Sequence, residues 1–105
     1  MRKLLLAGLV VALLAVAGTQ ALAATRSIRV GNNFFGPRTV TIHRGTKLTW
    51  RFHGSLHNVT VRRGPQHFRS GNRSHGKFSH RFTRRGTYRI VCTIHPGMRM
   101  TVKVR

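Results

Sequence analysis

The only cysteine in the 105-residue chain, Cys92, opens the segment CTIHPGM, whose side chains could bind a soft metal ion. His95 follows Cys92 by three positions, and Met98 follows His95 by three. Another histidine, His57, lies upstream in the segment SLHNV, at the start of a predicted strand. Thiolate and thioether sulfur favour Cu(I), imidazole accommodates both copper oxidation states, and two histidines, one cysteine and a weakly bound methionine are the ligands of a blue-copper site. Structural zinc sites more often contain two to four cysteines, so this set favours copper over zinc.

The alternative for each of these residues is an ordinary packed side chain. Cys92 could be an inert core thiol, but three further donors in suitable positions would then be unexplained. His80 shares a face with Phe78 and Phe82, and we expect it to be a partly buried structural histidine rather than a spare metal ligand. The other histidines are expected on the surface: His43, His53, His67 and His75.

The first 23 residues have the three parts of a secretory signal peptide. Arg2 and Lys3 give a positive start, an apolar run covers residues 4–18, and residues 21–23 match a cleavage signal. The apolar run is shorter than the roughly 20 residues that a membrane-spanning helix needs. We therefore expect cleavage after residue 23, export to the periplasm, the cell envelope or the extracellular space, and no stable membrane span afterwards. Retention of this segment as an anchor is the alternative.

The chain contains 20 lysine and arginine residues and no aspartate or glutamate. This composition excludes paired-carboxylate glycosidase chemistry, a Ser-His-Asp triad and an oxygen-rich calcium or magnesium site. The cations must be solvated, bound to external anions, or hydrogen-bonded to carbonyl groups, because no acidic side chain can pair with them. The charge therefore predicts the kind of partner, and it predicts nothing about the fold.

Short segments of alternating apolar and polar residues recur from residue 24 onward, and none has a convincing helical period. Leu48, Trp50 and Phe52 share one face of such a segment, whereas residues 66–76 are polar and glycine-punctuated and predict a long loop. Seven or so short strands in about 80 residues predict an all-β, two-sheet antiparallel Greek-key sandwich that forms one domain over residues 24–105. Tyr88, near the start of the strand that leads to the cysteine, is expected to form a tyrosine corner.

Two segments, SLHNVTV and GTYRIVCTIHPGMRMTVKV, resemble the cupredoxins, specifically the plastocyanin/amicyanin group of small blue-copper electron carriers. The resemblance includes FFGPRTVTIHRGTKLTW and covers essentially the whole chain after the predicted signal peptide. It implies that His57, Cys92 and His95 are strong ligands of one copper ion and that Met98 is the weak axial ligand. It also implies that Asn58 directs its backbone N–H at the cysteine sulfur.

Two methionines compete for the axial position. Met98 leaves two residues after His95, as in the amicyanin-type loop, while Met100 leaves four, as in the longer plastocyanin-type loop. Met100 is in phase with Val102 and Val104, so we expect it to pack in the core. We therefore favour Met98 as the axial ligand.

The resemblance further implies a protein that moves single electrons between larger redox proteins, and neither an enzyme nor a binder of a small-molecule substrate. His95 would be the exposed ligand through which the electron passes. The single Cys-His-His set lacks the further histidines of a multicopper oxidase, and copper storage or delivery is the alternative use of the same site. An apolar collar for docking is expected around His95, formed by Leu56, Pro96, Gly97 and Phe34.

The basic composition departs from the family pattern, in which acidic residues are common and often form the docking patch. We expect a monomer that associates with acidic redox proteins, more slowly as salt screens the charges, or that adheres to an anionic envelope surface. Nucleic-acid binding is a further alternative that a basic surface suggests. Export and the lack of a base-stacking motif argue against it.

Overall fold

Eight β-strands form within residues 24–105, the part of the chain that this computed structural model describes. The predicted signal peptide, residues 1–23, lies outside the described residues. Within them, no helix is long and apolar enough to cross a membrane. The strands are β1 (Thr25–Gly31), β2 (Phe34–Gly36), β3 (Thr39–Ile42), β4 (Lys47–Phe52), β5 (Thr60–Arg63), β6 (Lys77–Arg81), β7 (Gly86–Val91) and β8 (Arg99–Val104).

The strands form two four-stranded sheets, which confirms the predicted all-β sandwich. The first sheet has the order β2-β1-β4-β6, and the second has the order β3-β8-β7-β5. The pairs within them are antiparallel except for β1–β4 and β3–β8, which are parallel. Parallel neighbours cannot be joined by a tight hairpin. Strands of the other sheet lie between the partners in the chain: β3 comes between β1 and β4, and β4 and β6 come between β3 and β8.

The inner faces of the two sheets meet in an apolar core that contains Trp50. Strand alternation directs Leu48, Trp50 and Phe52 inward, as predicted, and leaves them 0%, 0% and 3% exposed. The ring of Trp50 lies 5.9 Å from that of Phe78, and its indole N–H donates a hydrogen bond to Met100 Sδ at 3.3 Å. Because Trp50 belongs to β4 and Met100 to β8, this bond joins the two sheets.

Tyr88 forms the predicted tyrosine corner. Its hydroxyl donates a hydrogen bond to the backbone carbonyl of Arg84 at 2.8 Å, and Gln66 Oε1 lies 3.1 Å from the same hydroxyl. The backbone of Gly64 approaches the ring so closely that a Cβ there would lie 2.7 Å from Tyr88 Cδ2. Burial raises the pKa of the Tyr88 hydroxyl, although the charge of Arg84 opposes that rise. The corner thus fixes the start of the strand that leads to Cys92.

His80 is half-buried, as predicted, and packs among aromatic rings. Its ring stacks on that of Phe68 with centroids 3.9 Å apart, and it lies edge-to-face with the ring of Phe82 with centroids 4.9 Å apart. Its Nε2 lies 3.3 Å from Gln66 Oε1. Phe68 belongs to the predicted loop over residues 66–76, yet it packs against the core. Burial lowers the pKa of His80 below its ordinary value of 6.5.

We expect His80 to make the stability of the fold depend on pH. Because the folded pKa of His80 lies below 6.5, the unfolded chain takes up this proton first as the pH falls. The contribution of His80 to the free energy of unfolding should therefore be fully present above about pH 6.5. It should be lost as the pH falls through the folded pKa of His80. Urea unfolding of the wild type and of His80→Gln between about pH 8 and about pH 4 measures this contribution as the pH-dependent difference between them.

The absence of side-chain carboxylates from the sequence simplifies this comparison, since no aspartate or glutamate titrates in the same range. The matched control is His43→Gln, which makes the same substitution at an exposed histidine outside the aromatic cluster. Identical pH profiles for the wild type and His80→Gln would contradict the prediction.

Candidate metal centre

The sequence-predicted ligands lie in two loops of the sandwich. His57 lies in the connection between β4 and β5, and Cys92, His95 and Met98 lie in the connection between β7 and β8. One potential ligand atom each from His57, Cys92 and His95 lie within 4.8 Å of one another. The Nδ1 atoms of the two histidines are 3.2 Å apart, and Cys92 Sγ lies 3.6 Å from His95 Nδ1.

This donor set fits a copper ion. Nitrogen and sulfur donors that share one ion at bond lengths of about 2.0–2.3 Å lie roughly 3–4 Å apart. The separations of 3.2 and 3.6 Å agree with that spacing. One sulfur and two imidazole nitrogens are also donors that copper accepts in both of its oxidation states. His57 is 0% exposed and Cys92 4% exposed, so a metal held between them would be largely shielded from water.

The orientation of His57 is fixed by its own backbone and by Ser55. Its backbone N–H donates to the backbone carbonyl of Arg73 at 2.9 Å, and the backbone N–H of Arg73 donates to the His57 carbonyl at 2.8 Å. Ser55 Oγ lies 3.3 Å from His57 Nε2, which leaves Nδ1 facing His95. Burial, and to a smaller extent the neighbouring His95, lower the pKa of His57 below 6.5. The neutral ring that this favours is the form that binds a metal.

The β7–β8 connection is a short turn closed by its own backbone. Cys92 N–H donates to the Met98 carbonyl at 3.0 Å, and Met98 N–H donates to the His95 carbonyl at 3.2 Å. Gly97 has a φ of 84°, in the left-handed region that glycine adopts without steric cost. The Pro-Gly sequence therefore turns the chain so that Met98 returns to the interior, where it is 2% exposed.

Asn58 joins the two loops that contain the potential ligands. Its backbone N–H donates to Cys92 Sγ at 3.4 Å. Its side-chain Nδ2 donates to Thr93 Oγ1 at 2.8 Å and to Asn72 Oδ1 at 3.0 Å, while Thr93 N–H donates back to Asn58 Oδ1 at 3.1 Å. The relative position of His57 and Cys92 is therefore set by one short network.

The two candidate axial methionines have different surroundings. Met98 lines a hollow of about 290 Å³ together with Cys92 and His95. Met100 lies in β8, and its sulfur accepts the hydrogen bond from Trp50 in the core. The sulfur of Met100 therefore already has a structural partner away from the donor group.

Apolar side chains are exposed next to two of the potential ligands in the chain and at the start of β2. Leu56 is 47% exposed, Phe34 is 41% exposed and Ile94 is 39% exposed. Pro96 and Gly97 in the β7–β8 connection are exposed as well. Ile94 was not among the residues predicted for the docking collar, although its place inside CTIHPGM next to a ligand could have indicated it.

Sequence reasoning also missed the polar residues that orient the potential ligands. Ser55 contacts His57 Nε2, and Thr93 holds the side chain of Asn58. Asn32 Oδ1 accepts a hydrogen bond from Ser55 N–H at 3.2 Å, which holds the β1–β2 turn against the β4–β5 loop. For Ser55 and Thr93, the only indication of this role in the sequence is that each lies close to a potential ligand. The sequence contains no such indication for Asn32.

The chain is similar to several known proteins. Residues 24–105 match the family of copper binding proteins described as the plastocyanin/azurin family. A purple cupredoxin from Nitrosopumilus maritimus is 26% identical, with a TM-score of 0.68, over 76% of this chain and 99% of that one. Amicyanin from Paracoccus versutus is 26% identical, with a TM-score of 0.66, over 85% of this chain and 87% of that one.

A larger enzyme is also similar to this chain over part of its length. The copper-containing nitrite reductase from Thermus scotoductus SA-01 is 26% identical over 82% of this chain, with a TM-score of 0.67. The chain spans only 23% of the length of that reductase. Among curated protein sequences, none matches this chain.

Asn58→Ala should destabilise the fold because it removes the side-chain bonds that join the two loops. We expect the free energy of unfolding to fall by about 1–3 kcal/mol, the usual effect of leaving buried hydrogen-bonding groups without partners. Urea unfolding measures this change. Asn72→Ala is the matched control, since it removes only an exposed partner, and it should cost less than about 1 kcal/mol. Equal losses in the two variants would contradict a special role for Asn58.

Proposed function

This chain belongs to the plastocyanin/azurin family of copper-binding proteins, and from this premise we propose that it carries single electrons between redox partners through a blue-copper site. Copper is its cofactor. The observation that supports the proposal most directly is the convergence of potential ligand atoms from His57, Cys92 and His95 within 4.8 Å. One cysteine with two histidines is the donor set of blue-copper centres.

In this proposal His57, Cys92 and His95 hold the metal as strong ligands, and Met98 is the weak axial ligand. Copper, when bound, supplies a one-electron exchange between Cu(I) and Cu(II). Met98 is preferred over Met100 because it lines the hollow beside Cys92 and His95. The sulfur of Met100 instead accepts a core hydrogen bond.

The role of the surrounding residues is to keep the ligands in place when the charge of the site changes. His57 is held by backbone bonds to Arg73 and by contact with Ser55. Cys92 is held by the backbone N–H of Asn58, whose hydrogen carries a partial positive charge and points toward the sulfur. A site that is fixed in this way needs little rearrangement when an electron arrives or leaves, which favours rapid transfer.

His95 is the proposed point of electron exchange, because its ring is only partly buried whereas His57 is fully buried. A partner that docks around His95 would exclude water and bring its own redox centre close to the metal. Apolar surface suits such a contact, since a patch of exposed apolar side chains often marks an interaction site. The proposed docking collar consists of Leu56, Ile94, Pro96, Gly97 and Phe34.

Export is part of the proposal. Residues 1–23 would be removed as a signal peptide, and the domain over residues 24–105 would act as a monomer in the periplasm or the cell envelope. Its excess of positive charge favours acidic redox proteins as partners. A single Cys-His-His set supports the role of a carrier, and we do not propose an enzymatic activity.

Addition of Cu(II) to the protein should produce an intense blue thiolate-to-copper absorption. Cys92→Ser should abolish that absorption, because it removes the only thiolate in the chain. Visible absorption spectroscopy during a copper titration measures both results. His80→Gln is the control, since it replaces a histidine outside the four proposed ligands and should leave the band in place. A colourless Cu(II) complex would contradict the proposal, and binding of Cu(I) alone would favour copper storage or delivery.

The two methionine variants should separate the axial ligand from the core residue. Met98→Leu should keep copper binding but shift both the visible spectrum and the reduction potential, because a weak axial ligand tunes the potential. Met100→Leu should leave the spectrum unchanged and lower the free energy of unfolding by about 1–3 kcal/mol, because the buried N–H of Trp50 loses its acceptor. Visible spectra, voltammetry and urea unfolding of both variants provide the test. An altered spectrum in Met100→Leu alone would reverse the assignment.

A further inference from the structure

A groove lined by arginines lies on the outer face of the second sheet. It encloses about 440 Å³ and draws its lining from β3, β5, β7 and β8 or the residues next to them. Two of its exposed arginines, Arg89 in β7 and Arg99 in β8, directly precede Ile90 and Met100, which face the core. Because successive residues of a strand point to opposite faces, these arginines face outward. The four groove arginines are Arg38, Arg62, Arg89 and Arg99.

Two of the groove arginines, Arg62 and Arg89, lie near a further arginine outside the groove and have no acidic side chain to compensate them. Arg63 in β5 lies directly opposite Arg89 in β7, and the pairing shifts between Val61 and Arg63 so that Arg62 is an additional residue there. Like charges in opposite positions of two strands destabilise a sheet. The sequence contains no aspartate or glutamate that could offset the repulsion. An external anion would do so, and a groove of about 440 Å³ has room for one.

The groove arginines belong to the larger group of arginines whose side chains do not hydrogen-bond to the backbone. Arg73, Arg81 and Arg84 each donate a side-chain hydrogen bond to a backbone carbonyl. Within residues 24–105, the guanidinium groups of the four groove arginines make no such bond. Their N–H donors are therefore available to a ligand that enters the groove.

The groove extends to the loop that contains three of the proposed copper ligands. The hollow of about 290 Å³ beside that loop shares Arg62, Val91 and Arg99 with the groove. Beyond them it is lined by His95 and Pro96, among others. A chain that lies along the groove would therefore reach the exposed edge of the metal loop.

We infer that the groove binds an acidic segment of the redox partner, with carboxylates of that segment paired to the groove arginines. The inference deepens the proposed function and rests on it for the nature of the partner. Arginine pairs with a carboxylate through two parallel N–H···O bonds, which gives such a contact directional specificity as well as charge attraction. A partner held in this way would lie beside His95, and opposite charges would accelerate its approach.

A protein segment fits this surface better than a membrane does. The groove is concave, so an extended chain can enter it, whereas a flat lipid surface meets only its rim. Exposed cations are present on the first sheet too, among them Arg51 and Lys77. Charge attraction alone would therefore not direct an anionic bilayer to the groove face rather than to the first sheet.

The test compares two variants with the same net charge, and a short polyglutamate peptide is the probe. The groove variant combines Arg38→Gln, Arg62→Gln, Arg89→Gln and Arg99→Gln. The control variant removes four exposed cations outside the groove, through Arg26→Gln, Arg44→Gln, Arg51→Gln and Lys77→Gln. Titration of isotope-labelled protein at fixed salt, followed by amide NMR shifts, gives both the location and the affinity of the peptide.

We expect peptide-induced shifts in β7 and β8, and an affinity about tenfold weaker for the groove variant than for the control variant, as the loss of four exposed ion pairs predicts. Equal weakening in both variants would show that total charge alone attracts the peptide, and it would overturn the inference. Absence of peptide binding to the wild type would overturn it too. Binding of phosphatidylglycerol vesicles that depends on the groove, without groove-dependent peptide binding, would assign the surface to a membrane instead.

Two further measurements keep the test decisive. If the groove variant does not fold by circular dichroism, the pair Arg62→Gln and Arg89→Gln is compared with the pair Arg26→Gln and Arg51→Gln, with an expected difference of about threefold. Peptide binding needs no copper signal, so it is separable from the proposed function. Loss of the blue absorption with intact peptide binding would count against the electron carrier, whereas a blue protein without groove-dependent binding would count against the groove.

Discussion

The contact between the residues around Asn58 and the residues around Cys92 is the constraint on which the site depends. The potential ligands come from two loops far apart in sequence, and without a fixed contact between those loops their donor atoms would not share one point. Asn58 provides it through a backbone N–H to the sulfur of Cys92 and through two side-chain bonds with Thr93. Beneath the loops, the bond from Trp50 to Met100 joins the two sheets.

The absence of acidic side chains affects nearly every part of the protein outside the core. Several arginines satisfy their donors with backbone carbonyls, as Arg81 does with Gly45 and Arg84 with Pro65. Others are left to pair with anions from outside, which connects the composition to the choice of partner. The fold itself does not need ion pairs, because its stability derives from apolar burial across the two sheets. The fold therefore forms without ion pairs between its side chains, and apolar burial offsets the repulsion between its cations.

Much of the fold could be predicted from alternation alone, because a residue's place in a strand decides which face it occupies. The inward positions of Leu48, Trp50 and Phe52 and the two-sheet sandwich were predicted in this way. The tyrosine corner was predicted from the place of Tyr88 near the start of the strand that leads to Cys92. The parallel pairing of β1 with β4 was not, since pairing partners distant in sequence leave no local pattern. The short strand β2 was also missed, and Phe68 packs on the core from a segment whose composition predicts a loop.

The sequence by itself determined which kinds of chemistry are possible. It supplies one thiol, imidazoles and thioethers, it excludes sites that need carboxylates, and it indicates a cupredoxin fold. Only the tertiary structure decided which nitrogen of His57 faces His95, because Ser55 contacts the other one. The tertiary structure also places the sulfur of Met100 where it accepts a hydrogen bond from Trp50. It brings arginines from separate segments together in one groove beside the metal loop. Donor types belong to single residues, whereas these arrangements depend on distances between residues that only the packing of the two sheets can set.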